Sequence, residues 1–267
     1  MSDSITMNRT VTRIGNILDA RGEPPWSETI IDDGRNKVTL IASGPGHSND
    51  AHVHPDFNEW WLVMKGELEW QVGDYPAIKA KVGDIVMSPA GTRHLITTVS
   101  GHTSLRLAVS KYDSNHDVKG ERGPLTAFPP ETSPPNLVHT KLDDIMSSHG
   151  PAPWSQETIL DVNNRAHLVC APVGQTPDEH THLDGDQWFA VLRGELDWDV
   201  AGHETERTRV GDILYVPAGT AHKLTPRGSE DTLRLSNTAS QGFRTLEADG
   251  SIRALDFDLS KIPGSLA

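Results

Sequence analysis

Cysteine is almost missing from this 267-residue chain. The single thiol, Cys170, excludes an internal disulfide and points to a reducing, cytoplasmic compartment. Long apolar runs are missing too. The stretch 60–64 is typical, far short of the ~20 residues of a membrane-spanning helix. Residues 1–13 are polar and lack the apolar segment of a secretory signal. Positive charge is scarce: 24 Lys and Arg against 37 Asp and Glu leave a net charge of −13 and a pI near 5.4. That balance excludes a nucleic-acid backbone or an anionic membrane surface as a natural partner. Aromatic residues make up only 6% of the chain, yet seven are Trp, against five Phe and three Tyr. Histidine is the exception to this sparseness, with 13 copies.

The chain also repeats itself. A shift of 128 residues lays one half on the other without a gap, and 21 of 49 positions in 46–94 are identical in 174–222. Unrelated segments of that length share about three, so the halves are duplicated domains. The match extends outward: Pro25-Trp26-Ser27 meets Pro153-Trp154-Ser155, and Leu105-Arg106-Leu107 meets Leu233-Arg234-Leu235. Between the halves, 120–136 carries Pro124, Pro129, Pro130, Pro134 and Pro135, the composition of a stiff connector without a core of its own. The chain therefore divides into a first domain, 1–119, a linker, 120–136, a second domain, 137–247, and a tail, 248–267, whose packing the sequence leaves open.

Short runs such as Trp60-Trp61-Leu62-Val63-Met64 and Asp212-Ile213-Leu214-Tyr215-Val216 are rich in branched and aromatic residues and bounded by Gly or Pro. Turn signals recur about every ten residues. Helical patterning is confined to 13–18 and 142–146. The fold class is all-β: two tandem jelly-roll-like barrels.

Two strings carry the chemistry. The first is Gly46-x5-His52-x-His54-x4-Glu59-x6-Gly66, and the second is Gly83-x5-Pro89-x-Gly91-x2-His94. Together they resemble the two signature motifs of the cupin superfamily, although Thr98 stands where an Asn is often found beyond the last His. The second half keeps Gly174, His180, His182, Gly194, Gly211, Pro217, Gly219 and His222, with Gln187 in the place of the usual Glu. The whole chain thus resembles a bicupin, and among bicupins the cupin dioxygenases.

The spacing makes sense without the family name. Alternate residues of an extended segment share a face, so His52 and His54 both point into the barrel. A turn through 55–58 brings Glu59 back beside them, and His94 arrives from a later strand. Three imidazoles and a carboxylate then converge on one divalent metal and leave positions open for water or substrate. His180, His182, Gln187 and His222 form the second set. The Gln187 amide oxygen can ligate but brings no charge, so that site is expected to bind more weakly and to leave its metal more Lewis acidic.

Most other repeated residues read as scaffold. Gly66 and Gly194 suit tight turns, and Asp84 and Asp212 suit turn positions rather than catalysis. Arg106 and Arg234 each stand between two leucines. Placing the leucines inside turns the arginines outward and disfavours a clamp on a substrate carboxylate. Tyr215, in the place of Met87, is a candidate phenol for the second pocket. Trp61 and Phe189 share a face with Glu59 and Gln187. Each puts an aromatic ring beside a presumed metal, as core filling or as the wall of a pocket for a planar or apolar small molecule. Trp61 and Glu59 are therefore the catalytic candidates. Trp60 and Trp188 alternate with the ligand positions and should face away from the metal, where the two halves can pair about a pseudo-twofold axis.

The resemblance implies a metal enzyme, with Fe(II) favoured over Mn, Ni or Zn. The first function it implies is a non-haem iron dioxygenase, in which His52, His54, Glu59 and His94 hold the metal and both a small-molecule substrate and O₂ have access. The second is a non-redox isomerase, lyase or decarboxylase, which the neutral Gln187 set suits. The third is a non-catalytic metal-binding or storage protein, a class that usually loses the ligand set. Proteins of this kind often associate further as homodimers.

Overall fold

The computed structural model describes residues 7–119, 134–241 and 243–262. Strands dominate it, and the two α-helices fall where the helical patterning lay, at Ile14–Arg21 and Leu142–His149. No helix among the described residues is long and apolar enough to cross a membrane.

In the first half, Glu59–Lys65 lies between Ile85–Ser88 and Ser104–Lys111 in a six-stranded sheet that continues through Asn36–Ser43 to Trp26–Asp32. Three strands, Ile78–Lys81, Glu67–Val72 and His94–Thr98, form the second sheet. Trp61 and Val63 from one sheet pack on Leu68 and Trp70 from the other, which fills the barrel. The second half builds the same pair of sheets around Gln187–Arg193 and Glu195–Val200. There the start of the tail finds its place: Ile252–Leu255 forms a hairpin with Phe243–Leu246, the last strand of the second domain, which pairs with His180–His182 in the sheet of Glu195–Val200. The expected turns at Gly66 and Gly194 have φ of 75° and 76°, and a Cβ on Gly66 would lie 2.8 Å from Ser100 Oγ.

The larger sheets pack back to back. Their shared core contains Trp60, Leu105 and Leu107 from one half and Trp188, Leu233 and Leu235 from the other. Trp60 and Trp188 stack with ring centroids 6.0 Å apart and planes 13° from parallel. Beside them, the Asn36 amide donates to Asn164 Oδ1 at 2.8 Å across the seam. Each of these pairs joins a residue to its own repeat equivalent, so a pseudo-twofold axis runs between them.

The barrels also exchange strands. Val11–Arg13 pairs with Asp212–Val216 of the second barrel, and His139–Thr140 pairs with Ile85–Ser88 of the first. Of the Pro-rich linker, 120–133 lies outside the described residues. From Asn136 onward the chain is fixed: its side-chain amide donates to Leu160 O at 2.7 Å and accepts from Leu160 N at 2.8 Å.

Candidate metal centres

His52 and His54 lie on an extended segment whose backbone bridges to His94. His94 opens one strand of the smaller sheet and Glu59 opens the central strand of the larger one. All four side chains are buried, and one ligand atom from each lies within 4.8 Å of the others. His52 Nε2 is 3.2 Å from His54 Nε2 and 3.0 Å from His94 Nε2. Glu59 Oε2 is 3.0 Å from His54 Nε2, 3.2 Å from His94 Nε2 and 4.0 Å from His52 Nε2.

The outer nitrogens explain this arrangement. Nδ1 of His52, His54 and His94 donates to the carbonyls of Asp50, Asn115 and Thr92 at 2.7, 2.5 and 3.2 Å. Such bonds fix the tautomer and turn each Nε2 lone pair toward the centre. Between His52 and His94, two lone pairs then face each other at a separation that only a proton or a cation between them makes favourable. Ligands about 2.1 Å from one ion and at right angles to each other sit ~3.0 Å apart, so the donor set fits a divalent metal.

Charge agrees with geometry. Burial alone would raise the Glu59 carboxyl, but the protonated forms of His54 and His94, which would donate to it and attract it, hold it far below the usual carboxylate range. Burial and His94 push His52 down to about 4. Burial opposes protonation of His54 as well, yet its bond to Glu59 and that carboxylate's charge outweigh it and raise the ring's pKa. The cluster opens on a cavity of about 500 Å³, in which Trp61, Ile41 and Ile96 form apolar wall. The Trp61 ring meets His94 edge to face at 5.0 Å.

The second cluster brings His180, His182 and His222 together. The Gln187 side chain turns its oxygen toward them, 2.7 Å from His182 Nε2 and 2.9 Å from His222 Nε2, while its nitrogen donates to Ser236 Oγ at 2.9 Å. His222 Nδ1 donates to Thr220 O at 3.0 Å and His182 Nδ1 to Thr245 Oγ1 at 3.1 Å. His180 is only half-buried, unlike its counterpart His52.

A sequence profile described as Cupin domain matches residues 39–110 and 167–237, more than half of the chain. The chain belongs to the cupin family. Salicylate 1,2-dioxygenase from Pseudaminobacter salicylatoxidans has a similar two-barrel fold, with a TM-score of 0.65 and 14% identity over 81% of this cupin and 76% of that chain. Oxalate decarboxylase of Bacillus subtilis, described with Mn(II) centres, gives 0.56 and 15% over 92% and 81%. A curated relative, the uncharacterized protein YdbB of Bacillus subtilis (strain 168), is 36% identical over 66 residues, 25% of this cupin. Those 66 residues span 58% of YdbB, less than two thirds of its length.

Two expectations from the sequence need correction. Arg106 does not point outward. Alternation along Ser104–Lys111 holds, with Arg106, Ala108 and Ser110 on one face and Leu105, Leu107 and Val109 on the other, but the leucines face the neighbouring barrel and the arginine faces the cavity. Arg234 likewise lines a cavity of its own, about 260 Å³ in volume. Tyr215 does not reach the second cluster either. It packs in the core between the barrels and donates its hydroxyl to Asp186 Oδ2. Phe189 fills the second barrel beside Trp198, whereas Trp61 serves as both core and cavity wall.

His116 escaped the sequence reading. It lines the cavity and lies against His52, with ring centroids 3.8 Å apart and planes tilted by 33°. Its repeat equivalent is Arg244, so a search for shared residues passes over it.

Proposed function

We propose that this cupin is a metal-dependent enzyme with its chemistry in the first barrel, where His52, His54, Glu59 and His94 hold a divalent metal. The reaction proposed is an iron-type dioxygenation of a small planar or oxygenated organic molecule. One observation carries the reading: three of the four donors, the Glu59 carboxylate among them, form part of the wall of a cavity of about 500 Å³ walled by an indole and aliphatic side chains. A bound metal would supply Lewis-acid or redox activation of an oxygen-bearing substrate. The chain's own residues do the rest. The carbonyls of Asp50, Asn115 and Thr92 orient the imidazoles, the Glu59 carboxylate supplies negative charge, and the apolar walls exclude water and favour a flat ligand. The fold shared with salicylate 1,2-dioxygenase supports the same choice.

A second reading, a non-redox decarboxylase, isomerase or lyase, draws on the neutral Gln187 donor and on the fold shared with oxalate decarboxylase. The two readings separate in one experiment. Protein purified without a metal-binding tag is analysed for metals, and O₂ uptake is followed with catechols and diketones. Iron together with O₂ uptake that His52→Ala/His54→Ala abolishes is expected. Zinc or nickel without uptake would overturn the dioxygenase assignment in favour of the second reading.

A further inference from the structure

Arg106 is a buried cation whose charge is not matched by its surroundings. Its side chain is 4% exposed and lines the cavity of the first barrel. A guanidinium carries five N–H donors. Here Nη1 donates to Ser43 Oγ at 3.1 Å, and Nε has no partner. The acidic group whose charge bears on it is Glu59, and that carboxylate is already engaged by His54 and His94. Withdrawing a charged group from water costs several kcal/mol unless a partner compensates. Burial lowers the guanidinium to about 10 against the pull of Glu59, which still leaves it charged at neutral pH.

The same cavity is lined by His52, His54 and Glu59 of the cluster. One space is therefore lined by a planar cationic fork, by donors of the metal set and by apolar side chains. We propose that Arg106, with Ser43 beside it, anchors the carboxylate of the substrate, which is a small organic acid bearing a second oxygen donor, a hydroxyl or keto oxygen, toward the His–Glu cluster. This inference rests on the first barrel being the catalytic one and narrows its substrate class. A fork of parallel N–H groups matches a carboxylate in geometry as well as charge.

The repeat supplies an internal control. Arg234 occupies the equivalent position with Nε and Nη1 unpartnered, and Ala171 stands where Ser43 does. Its cavity is lined by none of His180, His182, Gln187 or His222. An anion held there would not share a space with a donor cluster.

The test is calorimetric binding to the Zn(II)-loaded full-length protein, with three acids and their neutral amides as probes: salicylate and salicylamide, lactate and lactamide, pyruvate and pyruvamide. At least one acid is expected to bind tenfold or more tightly than its amide. Arg106→Gln should abolish that preference, Arg106→Lys should retain part of it, and Arg234→Gln should retain all of it. Metal content should be unchanged in all three variants. Equal binding of every acid and its amide, no binding by any acid, or an undiminished preference in Arg106→Gln would overturn the proposal. Absence of discrimination in the unmutated protein with normal metal content sinks the anchor alone. Intact discrimination in a protein that holds no metal at His52, His54, Glu59 and His94 sinks the reading beneath it and spares the anchor.

Discussion

The two barrels share a fold and three histidines, but they differ in how the fourth donor is satisfied. In the first, Glu59 Oε2 lies 3.0 and 3.2 Å from Nε2 of His54 and His94, and Ala108 stands near it on the next strand. In the second, Gln187 points its oxygen the same way but has an N–H pair to place, and Ser236, the counterpart of Ala108, accepts from it. A change from carboxylate to amide is thus matched by a change from methyl to hydroxyl one strand away. The comparison teaches that the neutral Gln187 donor comes with an acceptor for its N–H, Ser236, which the first barrel neither has nor needs. Its surroundings differ accordingly: the strand Phe243–Leu246 supplies Thr245 to His182, where the first barrel uses the Asn115 carbonyl on His54.

The comparison breaks most readily at the metal. His52→Ala/His54→Ala should remove about one metal equivalent by elemental analysis, since two donors are too few. His180→Ala/His182→Ala should remove only a weaker-bound fraction, and the reverse ranking would end the assignment of the stronger site to the first barrel. The seam comes next. Trp60→Ala and Trp188→Ala should each cost ~3–5 kcal/mol and lower the denaturation midpoint alike, because the rings stack on each other. A large loss from one and none from the other would mean that the seam is not shared.

Donor exchange is expected to act more gently. Glu59→Gln should weaken the first site ~10–100-fold in a chelator competition. Adding Ala108→Ser, which copies Ser236, should recover part of that loss by giving the amide N–H an acceptor. If the double variant is no better than the single one, the Gln187–Ser236 match has no functional meaning.

The smallest effect concerns Asp161. This carboxylate is fully buried, accepts from the backbone N–H of Asn163 and Asn164 at 2.8 Å each, and is pushed by burial up to about 6. A folded-state value above the ordinary one means that the native protein holds this proton more tightly than the unfolded chain between about pH 4 and 6. Stability should therefore fall as pH rises through that window, by ~3 kcal/mol at most. The counterpart Asp33 has Arg35 at 2.7 Å, where the second half has Asn163. Asn163→Arg should restore about 1 kcal/mol above pH 6 and flatten the slope in denaturant titrations. An unchanged slope would show that another group sets it.

The fold was legible because turns and branched residues alternate so regularly and because the duplication repeats the message. The donor set was legible for a related reason: strand alternation places His52 and His54 together whatever the tertiary context. Arg106 was not legible. A strand reads as having one buried face and one open face, and its leucines claimed the buried one. Here both faces of Ser104–Lys111 are covered, one by the other barrel and one by the cavity wall. Tyr215 was misplaced for the same reason. The strand exchange left no trace in the pattern, since Val11–Arg13 and His139–Thr140 are too short to show a period.

That exchange has a consequence during synthesis. The first barrel leaves the ribosome with the edge of Ile85–Ser88 bare, because the strand that covers it belongs to the half not yet translated. A bare edge offers a row of unsatisfied amides and carbonyls to any passing strand. Until His139 emerges, a neighbouring nascent chain on the same message can fill the gap just as well. Slow elongation between the halves would therefore favour tangled pairs of chains over monomers, and a gene cut at the midpoint would yield two fragments that fold properly only in each other's company.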